Sequence, residues 1–145
     1  MKKYLSWNNV PKIKPEQTEI IDSTDYKMAK FVSPYTIYGL GKSYGDVCLT
    51  EEGTLLISKG LDRLIEFDVM HGTIKSESGV TLDEILRLIT HEGWFIPVVP
   101  GTRFITIGGA LANDIHGKNH HKTGSFGNYV RKFELLRSDG EKIVC

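Results

Sequence analysis

The sequence predicts an α+β fold, and three observations carry that prediction. Short β-rich runs recur at Glu19-Ile20-Ile21, Tyr35-Thr36-Ile37-Tyr38 and Thr54-Leu55-Leu56-Ile57-Ser58, with a capped helical segment between the first two. Leu64-Ile65-Glu66-Phe67-Asp68 and Thr73-Ile74-Lys75-Ser76-Glu77-Ser78 flank His71-Gly72 and read as a hairpin. One well-marked helix follows from Thr81. Short strands with few helices lack the regular alternation of an α/β protein.

Each element has a local reason. Pro11 and Pro15 break the opening, which reads as loop. Ser23-Thr24-Asp25 offers caps before a helix over Tyr26-Lys27-Met28-Ala29-Lys30-Phe31. Tyr35–Tyr38 runs straight into a glycine loop. That strand–helix–strand–loop order is compatible with a small parallel sheet. Thr81 and Glu84 form a Thr-x-x-Glu capping box, and Leu82, Ile85, Leu86 and Ile89 share one helical face. Gly93 is placed to end that helix. Trp94-Phe95-Ile96-Pro97-Val98-Val99 is apolar and extended until Pro100-Gly101 turns it. Thr106-Ile107-Gly108-Gly109 reads as a glycine turn opening a short helix through Ala110-Leu111-Ala112-Asn113. Val130–Leu136 reads as a strand, Ser138-Asp139-Gly140-Glu141 as a turn, and Lys142-Ile143-Val144-Cys145 as the start of a second strand. A hairpin ending the chain so tightly reads as a truncation.

Bulk properties narrow the function. The chain has 145 residues, enough for one domain with a real core. Eighteen basic residues balance eighteen acidic ones, which gives no electrostatic footprint for nucleic acid. No apolar run reaches membrane-spanning length. Lys2 and Lys3 have no apolar run behind them, so the start is not a secretory signal. Cys48 and Cys145 show no motif spacing and read as free thiols.

Two glycine-rich stretches stand out. The first is Gly39-Leu40-Gly41-Lys42-Ser43-Tyr44-Gly45-Asp46. The second runs from Pro100-Gly101-Thr102 through Thr106-Ile107-Gly108-Gly109-Ala110 to His116-Gly117-Lys118-Asn119-His120-His121. Glycine lets backbone pass close to a bulky ligand, and successive backbone N–H groups form anion-binding concavities. Two such stretches suit a ligand with phosphates and a long body, such as a dinucleotide. Neither familiar fingerprint fits. Tyr44 stands where a Rossmann motif needs its third glycine, and Thr36 where a P-loop needs its first. His116 and His120 have zinc-ligand spacing for a helix, with Asp114 and His121 nearby. However, Gly117 and Gly124 interrupt any helix there, and Lys118 would set a cation beside the metal, so no metal site is expected.

Together the two stretches resemble the FAD-binding domain of the vanillyl-alcohol oxidase and p-cresol methylhydroxylase superfamily. Within it the chain is most similar to the branch that oxidises polyprenyl-phosphate ribose for cell-wall biosynthesis. Gly39–Asp46 is similar to that family's pyrophosphate loop. Pro100-Gly101-Thr102-Arg103 and Thr106–Ala110 are similar to its second FAD segment. Asp114-Ile115-His116-Gly117-Lys118-Asn119-His120-His121, followed by Gly124-Ser125-Phe126-Gly127-Asn128, is the most specific match.

The resemblance implies a two-subdomain fold of the p-cresol methylhydroxylase type. A small parallel-sheet subdomain would occupy about residues 1–60, and a mainly antiparallel one would begin at about 61 and run to 145. It also implies that a cap or substrate domain and the catalytic base of relatives lie outside this chain. FAD would be bound without a covalent link, because Lys42 stands where some relatives carry a flavin-linked histidine. The expected cofactor contacts are Gly39, Leu40, Gly41, Lys42, Ser43, Tyr44, Gly45 and Asp46, then Pro100, Gly101, Thr106, Ile107, Gly108, Gly109, Asn113, Asp114, His116, Gly124, Ser125 and Gly127. Amides of Gly39–Gly45 and Gly108-Gly109 would hold the pyrophosphate. His116 and Lys118 would face the reacting end. The implied reaction is oxidation of a sugar or polyol hydroxyl by hydride transfer to flavin. A partner NAD(P)-dependent reductase and a cytoplasmic, membrane-peripheral location are also implied, while this fragment alone is expected to be inactive. A catalytically silent flavin- or nucleotide-binding module and a phosphate-binding hydrolase using Lys42 remain as alternatives.

Overall fold

The computed structural model describes residues 4–28 and 34–145. The chain divides into two compact units. One comprises Met1–Gly60 with Val130–Cys145, the other Leu61–Tyr129. The second grouping ends before residue 145, because the last hairpin clusters with the first unit.

The first unit holds a parallel sheet of three strands, β1 (Gln17–Ile20), β2 (Tyr35–Tyr38) and β3 (Thr54–Ile57), in the order β1-β3-β2. Thr54 pairs with both Gln17 and Tyr35, and Ile57 with both Ile20 and Tyr38, so β3 is central. Its sequence follows from that place. Leu55 and Leu56 point to opposite faces and both are fully buried, so apolar residues run without alternation. The helix expected over Tyr26–Phe31 lies in part outside the described residues. Ser58–Gly60 tightens into a 3-10 turn, which ends β3 one residue earlier than its composition suggests.

The second unit starts with an antiparallel hairpin, β4 (Leu64–Asp68) and β5 (Thr73–Ser76). β5 is shorter than its pattern implies because Glu77 turns back. Its carboxylate accepts the Arg63 backbone N–H at 3.0 Å and Arg63 Nε at 2.9 Å. Glu77 is buried, and the hydrogen bond from the Arg63 guanidinium holds its carboxyl below the usual range. Helix α1 (Leu82–Ile89) has the expected capping box, with both reciprocal bonds between Thr81 and Glu84 present. A 3-10 turn, Thr90–Glu92, extends it, and Gly93 ends it at φ +79. Val80, Ile85 and Ile89 pack with Phe67, Ile74 and Ile107, while Leu82, Ile105 and Ala110 pack with Ile96, Ile107, Ile115 and Phe126. Ile107 therefore joins both clusters. Trp94–Val99 forms no strand.

Helix α2 (Ile107–Ala112) takes Gly108 and Gly109 into its first turn, with Thr106 as its N-cap. One turn of helix, α3 (His120–Thr123), forms where glycines were expected to forbid it. Gly117 and Gly124 both lie outside it, so they bound the turn rather than interrupt it. The hairpin of β6 (Glu134–Leu136) and β7 (Lys142–Val144) completes the order, with β6 confined to the end of its expected span. The parallel sheet, the antiparallel hairpins and the few helices give the α+β class read from the sequence. Among the described residues no helix is long and apolar enough to cross a membrane.

Candidate functional site

The first glycine stretch is the connection that leaves β2. Gly41 takes φ +63 and Gly45 φ +64, a region where a Cβ is strained. A side chain at Gly41 would collide with the Leu5 carbonyl and the Tyr38 hydroxyl, whereas one at Gly45 would meet nothing within 4 Å. Among the described residues, no protein acceptor takes the backbone N–H of Leu40, Gly41 or Lys42. Lys42 has no carboxylate partner among them either. Its ammonium lies 5.4 Å from the centroid of the Trp7 ring. Unpaired amides in a left-handed bend beside a cation make a donor set suited to anionic oxygens, so the residues present fit a diphosphate.

The remaining loop residues hold the loop itself. The Ser43 carbonyl accepts the Trp7 N–H at 3.0 Å, and the Gly45 N–H reaches Asn8 Oδ1 at 3.4 Å. Leu49 N–H donates to the Asp46 carbonyl at 2.7 Å. Burial pushes the Cys48 thiol up, against hydrogen bonds from its own amide and from Ser43. Tyr44 is largely exposed.

The second stretch is built differently, and one expectation is corrected there. The Ile107 N–H donates to the Val80 carbonyl at 2.7 Å and the Gly108 N–H to the Ser78 carbonyl at 2.8 Å. The Gly109 N–H donates to Thr106 Oγ1 at 3.1 Å. The amides of Gly108 and Gly109 are thus engaged inside the protein and do not point a free donor pair at a ligand. Their glycine character serves close packing. A Cβ at Gly108 would lie 3.0 Å from the Ser78 Cβ and 3.2 Å from its carbonyl oxygen. Thr106 is buried with its hydroxyl used as the helix cap. Asn113 donates its side-chain N–H to the Gly109 carbonyl at 2.8 Å, closing the far end of α2. Pro100 is half-buried and Gly101 exposed, with open space where a Cβ would stand.

Residues 114–128 form a closed loop. Asp114, at φ +40, accepts the Gly127 N–H at 2.8 Å. The Gly127 N–H, then the Ser125 hydroxyl, hold the Asp114 carboxyl below its ordinary value. His116 and Ser125 pair as an isolated antiparallel bridge. Asn128 Oδ1 accepts the Ser125 N–H at 2.9 Å, beside Gly124 at φ +72. A Cβ at Gly117 would press on the Val99 carbonyl at 2.6 Å, and Asn119 Nδ2 donates to the Pro97 carbonyl at 3.2 Å. Between these ties lie Lys118, exposed, and three histidines. The His116 and His120 ring centroids are 5.1 Å apart, and His120 Nδ1 lies 3.0 Å from the Gly117 carbonyl. Among the described residues no three His, Cys, Asp or Glu side chains converge on a metal position.

The site residues therefore fall into two sets. Gly39–Asp46 belongs to the first unit. Pro100, Gly101, Thr106–Gly109, Asn113, Asp114, His116, Lys118, Gly124, Ser125 and Gly127 belong to the second. Sequence reasoning missed Leu5, Trp7, Asn8 and Tyr38, which grip the first loop, and Ser78, whose carbonyl anchors Gly108. Only Tyr38 had a local signal, its position immediately before Gly39.

Comparison with known proteins shows the family. A family model described as FAD binding domain matches residues 13–145. Decaprenylphosphoryl-beta-D-ribose oxidase of Mycolicibacterium smegmatis is 45% identical over 103 residues, 71% of this chain and 22% of that protein. Human Delta(24)-sterol reductase is 29% identical over 82 residues, 57% of this chain and 16% of that one. In structure, an alkyldihydroxyacetonephosphate synthase covers 95% of this chain and 28% of its own at a TM-score of 0.74 and 17% identity, a likeness of fold. The chain spans less than a third of the length of each of these relatives. With the family match extending over nearly the whole sequence, the chain belongs to the FAD-binding-domain family of flavin-linked oxidoreductases, and its cofactor is FAD.

Proposed function

We propose that the whole protein oxidises a sugar or polyol hydroxyl, of the polyprenyl-phosphate ribose type, to a ketone, with FAD bound non-covalently. FAD, when bound, would accept the hydride, with its two electrons, that leaves the carbinol carbon, while the hydroxyl proton passes to a base or to solvent. The substrate class rests on the likeness to the decaprenylphosphoryl-beta-D-ribose oxidase. The cofactor placement is carried by one observation: the unpaired amides of Leu40–Lys42 beside an ammonium with no carboxylate partner among the described residues. In this reading those donors bind the diphosphate. Gly45 has open space where a Cβ would stand, so a ligand can approach its backbone closely. Lys42 also supports the absence of a covalent link, since it stands where linked relatives carry histidine.

His116 and Lys118 lie at the reacting end in this reading. The bridge to Ser125 and the Asp114–Gly127 bond hold their loop in shape. His116 hydrogen-bonds the substrate hydroxyl or the flavin edge in this reading, and Lys118 offers positive charge to a substrate phosphate or to charge developing on oxygen. Removing such a positioned donor costs on the order of 2–4 kcal/mol in the transition state.

The test is rapid mixing of the flavin-loaded protein with a polyprenyl-phosphate ribose. His116→Ala and Lys118→Ala should reduce bound flavin about thirtyfold to a thousandfold more slowly while retaining wild-type flavin content. On denaturation, the flavin should leave with the small molecules. Wild-type reduction rates in both variants would remove the reacting-end assignment. Flavin retained by the denatured chain would remove the non-covalent one. A protein that binds flavin yet is bleached by no sugar substrate would be a silent binding module.

A further inference from the structure

The opening segment carries no motif, yet three contacts fasten it to the first glycine loop and two hydrogen bonds fasten it to Tyr38, just before that loop. Tyr38 Oη donates to the Leu5 carbonyl at 2.9 Å and accepts the Leu5 N–H at 3.4 Å. The Trp7 N–H donates to the Ser43 carbonyl, and Asn8 Oδ1 accepts the Gly45 N–H. Lys42 Nζ sits over the Trp7 ring. Gly41 marks the closest approach, because a Cβ there would fall on both the Leu5 carbonyl and the Tyr38 hydroxyl. Tyr4 meets the Tyr38 ring edge-on at 5.3 Å between centroids. All of these residues belong to one compact unit.

The Lys42–Trp7 contact has a particular consequence. A lysine side chain is flexible, and fixing it for a ligand costs rotamer entropy. A carboxylate partner would fix it but also neutralise it. An indole face fixes it while leaving the charge available, because the attraction is to the ring quadrupole. Among the described residues Lys42 has only that partner.

We propose that Leu5–Asn8 is a strap that sets the shape of the Gly39–Gly45 loop, with Tyr38 and Trp7 as positioning residues for its anion. Tyr38 fixes the strap through Leu5. Trp7 keeps the Lys42 ammonium oriented and unneutralised. This rests on the reading that the loop takes the FAD diphosphate.

The experiment is a double-mutant cycle on FAD affinity in the whole protein, with thermal unfolding measured alongside. Lys42→Gln should weaken FAD about tenfold, as loss of a charged hydrogen bond does. Trp7→Leu should weaken it about threefold to fivefold, the range of an exposed cation–π contact. The double variant should be no weaker than Lys42→Gln alone, because Trp7 acts through Lys42. A merely structural Trp7 would give additive losses instead. Trp7→Phe keeps a π face and should fall between wild type and Trp7→Leu, which preserves the test where Trp7→Leu folds poorly. Tyr38→Phe should weaken FAD severalfold. Additive losses, or wild-type affinity in Trp7→Leu beside a weakened Lys42→Gln, would overturn the Trp7 role alone. Wild-type affinity in Tyr38→Phe would overturn the strap. Wild-type affinity in Lys42→Gln would overturn the loop's assignment to FAD, and the strap's role with it.

Discussion

Two glycine-rich stretches that look alike in sequence are built for different work. In Gly39–Asp46 the amides of Leu40, Gly41 and Lys42 find no acceptor among the described residues, and the cation beside them lies on an indole rather than a carboxylate. In Thr106–Gly109 the amides of Ile107, Gly108 and Gly109 are all taken, by Val80, Ser78 and the Thr106 hydroxyl. Both stretches use glycine to bring backbone close to something. For Gly41 and Gly108 that something is the protein itself, Leu5 and Tyr38 in one case and Ser78 in the other. Glycine in a sequence thus signals close approach, and only the hydrogen-bond accounting tells which loop has donors left for an anion.

The widest difference should appear on adding one methyl to each. Gly41→Ala places a Cβ on two oxygens at a positive φ, which combines left-handed strain with overpacking against backbone, about 3 kcal/mol together. It should also empty the protein of flavin. Gly108→Ala meets Ser78 at 3.0–3.2 Å in a conformation any residue adopts, so a shift of a few tenths of an ångström accommodates it at about 1 kcal/mol. Thermal unfolding and flavin stoichiometry of the two variants check this. Equal losses would mean that the two loops are alike after all.

The second stretch leans on the 77–81 turn, which predicts a pH-dependent weakness there. The Glu77 carboxyl is held low chiefly by its hydrogen bonds to Arg63, so it contributes stability that is present above the unfolded value and lost as pH falls through the folded one. The sign places the loss at acid pH, below the ordinary carboxylate range. The side chain of Arg63 is 67% exposed, which screens the pair. Glu77→Gln should therefore cost about 1 kcal/mol at neutral pH, a charged hydrogen bond discounted for that screening. Its stability should then fall less steeply than wild type on acidification. Parallel stability–pH curves for the two proteins would show that Glu77 does not carry the acid dependence.

How far the sequence could be read follows from the range of the interactions. The α1 capping box, the Gly93 stop and the β4–β5 hairpin were legible because each is set within a few residues. The family was legible because its motifs are contiguous. What was not legible spans the chain. Leu5 meets Tyr38 across 33 residues, and Gly108 is anchored on Ser78 by a bond that no local pattern encodes. The expected Gly108-Gly109 anion site went astray for that reason. A glycine turn opening a helix advertises free amides, and only the segment packed against it reveals that they are taken. The one-turn α3 shows the same limit, since two glycines that seem to forbid a helix bound it.

The smallest expected effect concerns Asp114, which closes the loop carrying His116 and Lys118. Its carboxylate accepts the Gly127 N–H at 2.8 Å from a residue at φ +40. Asparagine tolerates that backbone region and keeps an oxygen acceptor, so Asp114→Asn should leave the loop closed. Alanine offers neither, so Asp114→Ala should release Gly127. Because the group is exposed, global stability should barely register either change. The sensitive observable is amide hydrogen exchange at Gly127, a local opening rather than global unfolding. Exchange should accelerate in Asp114→Ala and remain slow in Asp114→Asn. Acid should reproduce the alanine result in the wild type as a loss of protection at Gly127 relative to the intrinsic exchange rate at that pH, since the depressed carboxyl keeps its bond until pH falls through its lowered value. In Asp114→Asn the same acidification should leave that protection unchanged, because no proton is taken up there. Fast exchange in the asparagine variant at neutral pH would mean that charge, rather than a hydrogen-bond acceptor, holds the loop.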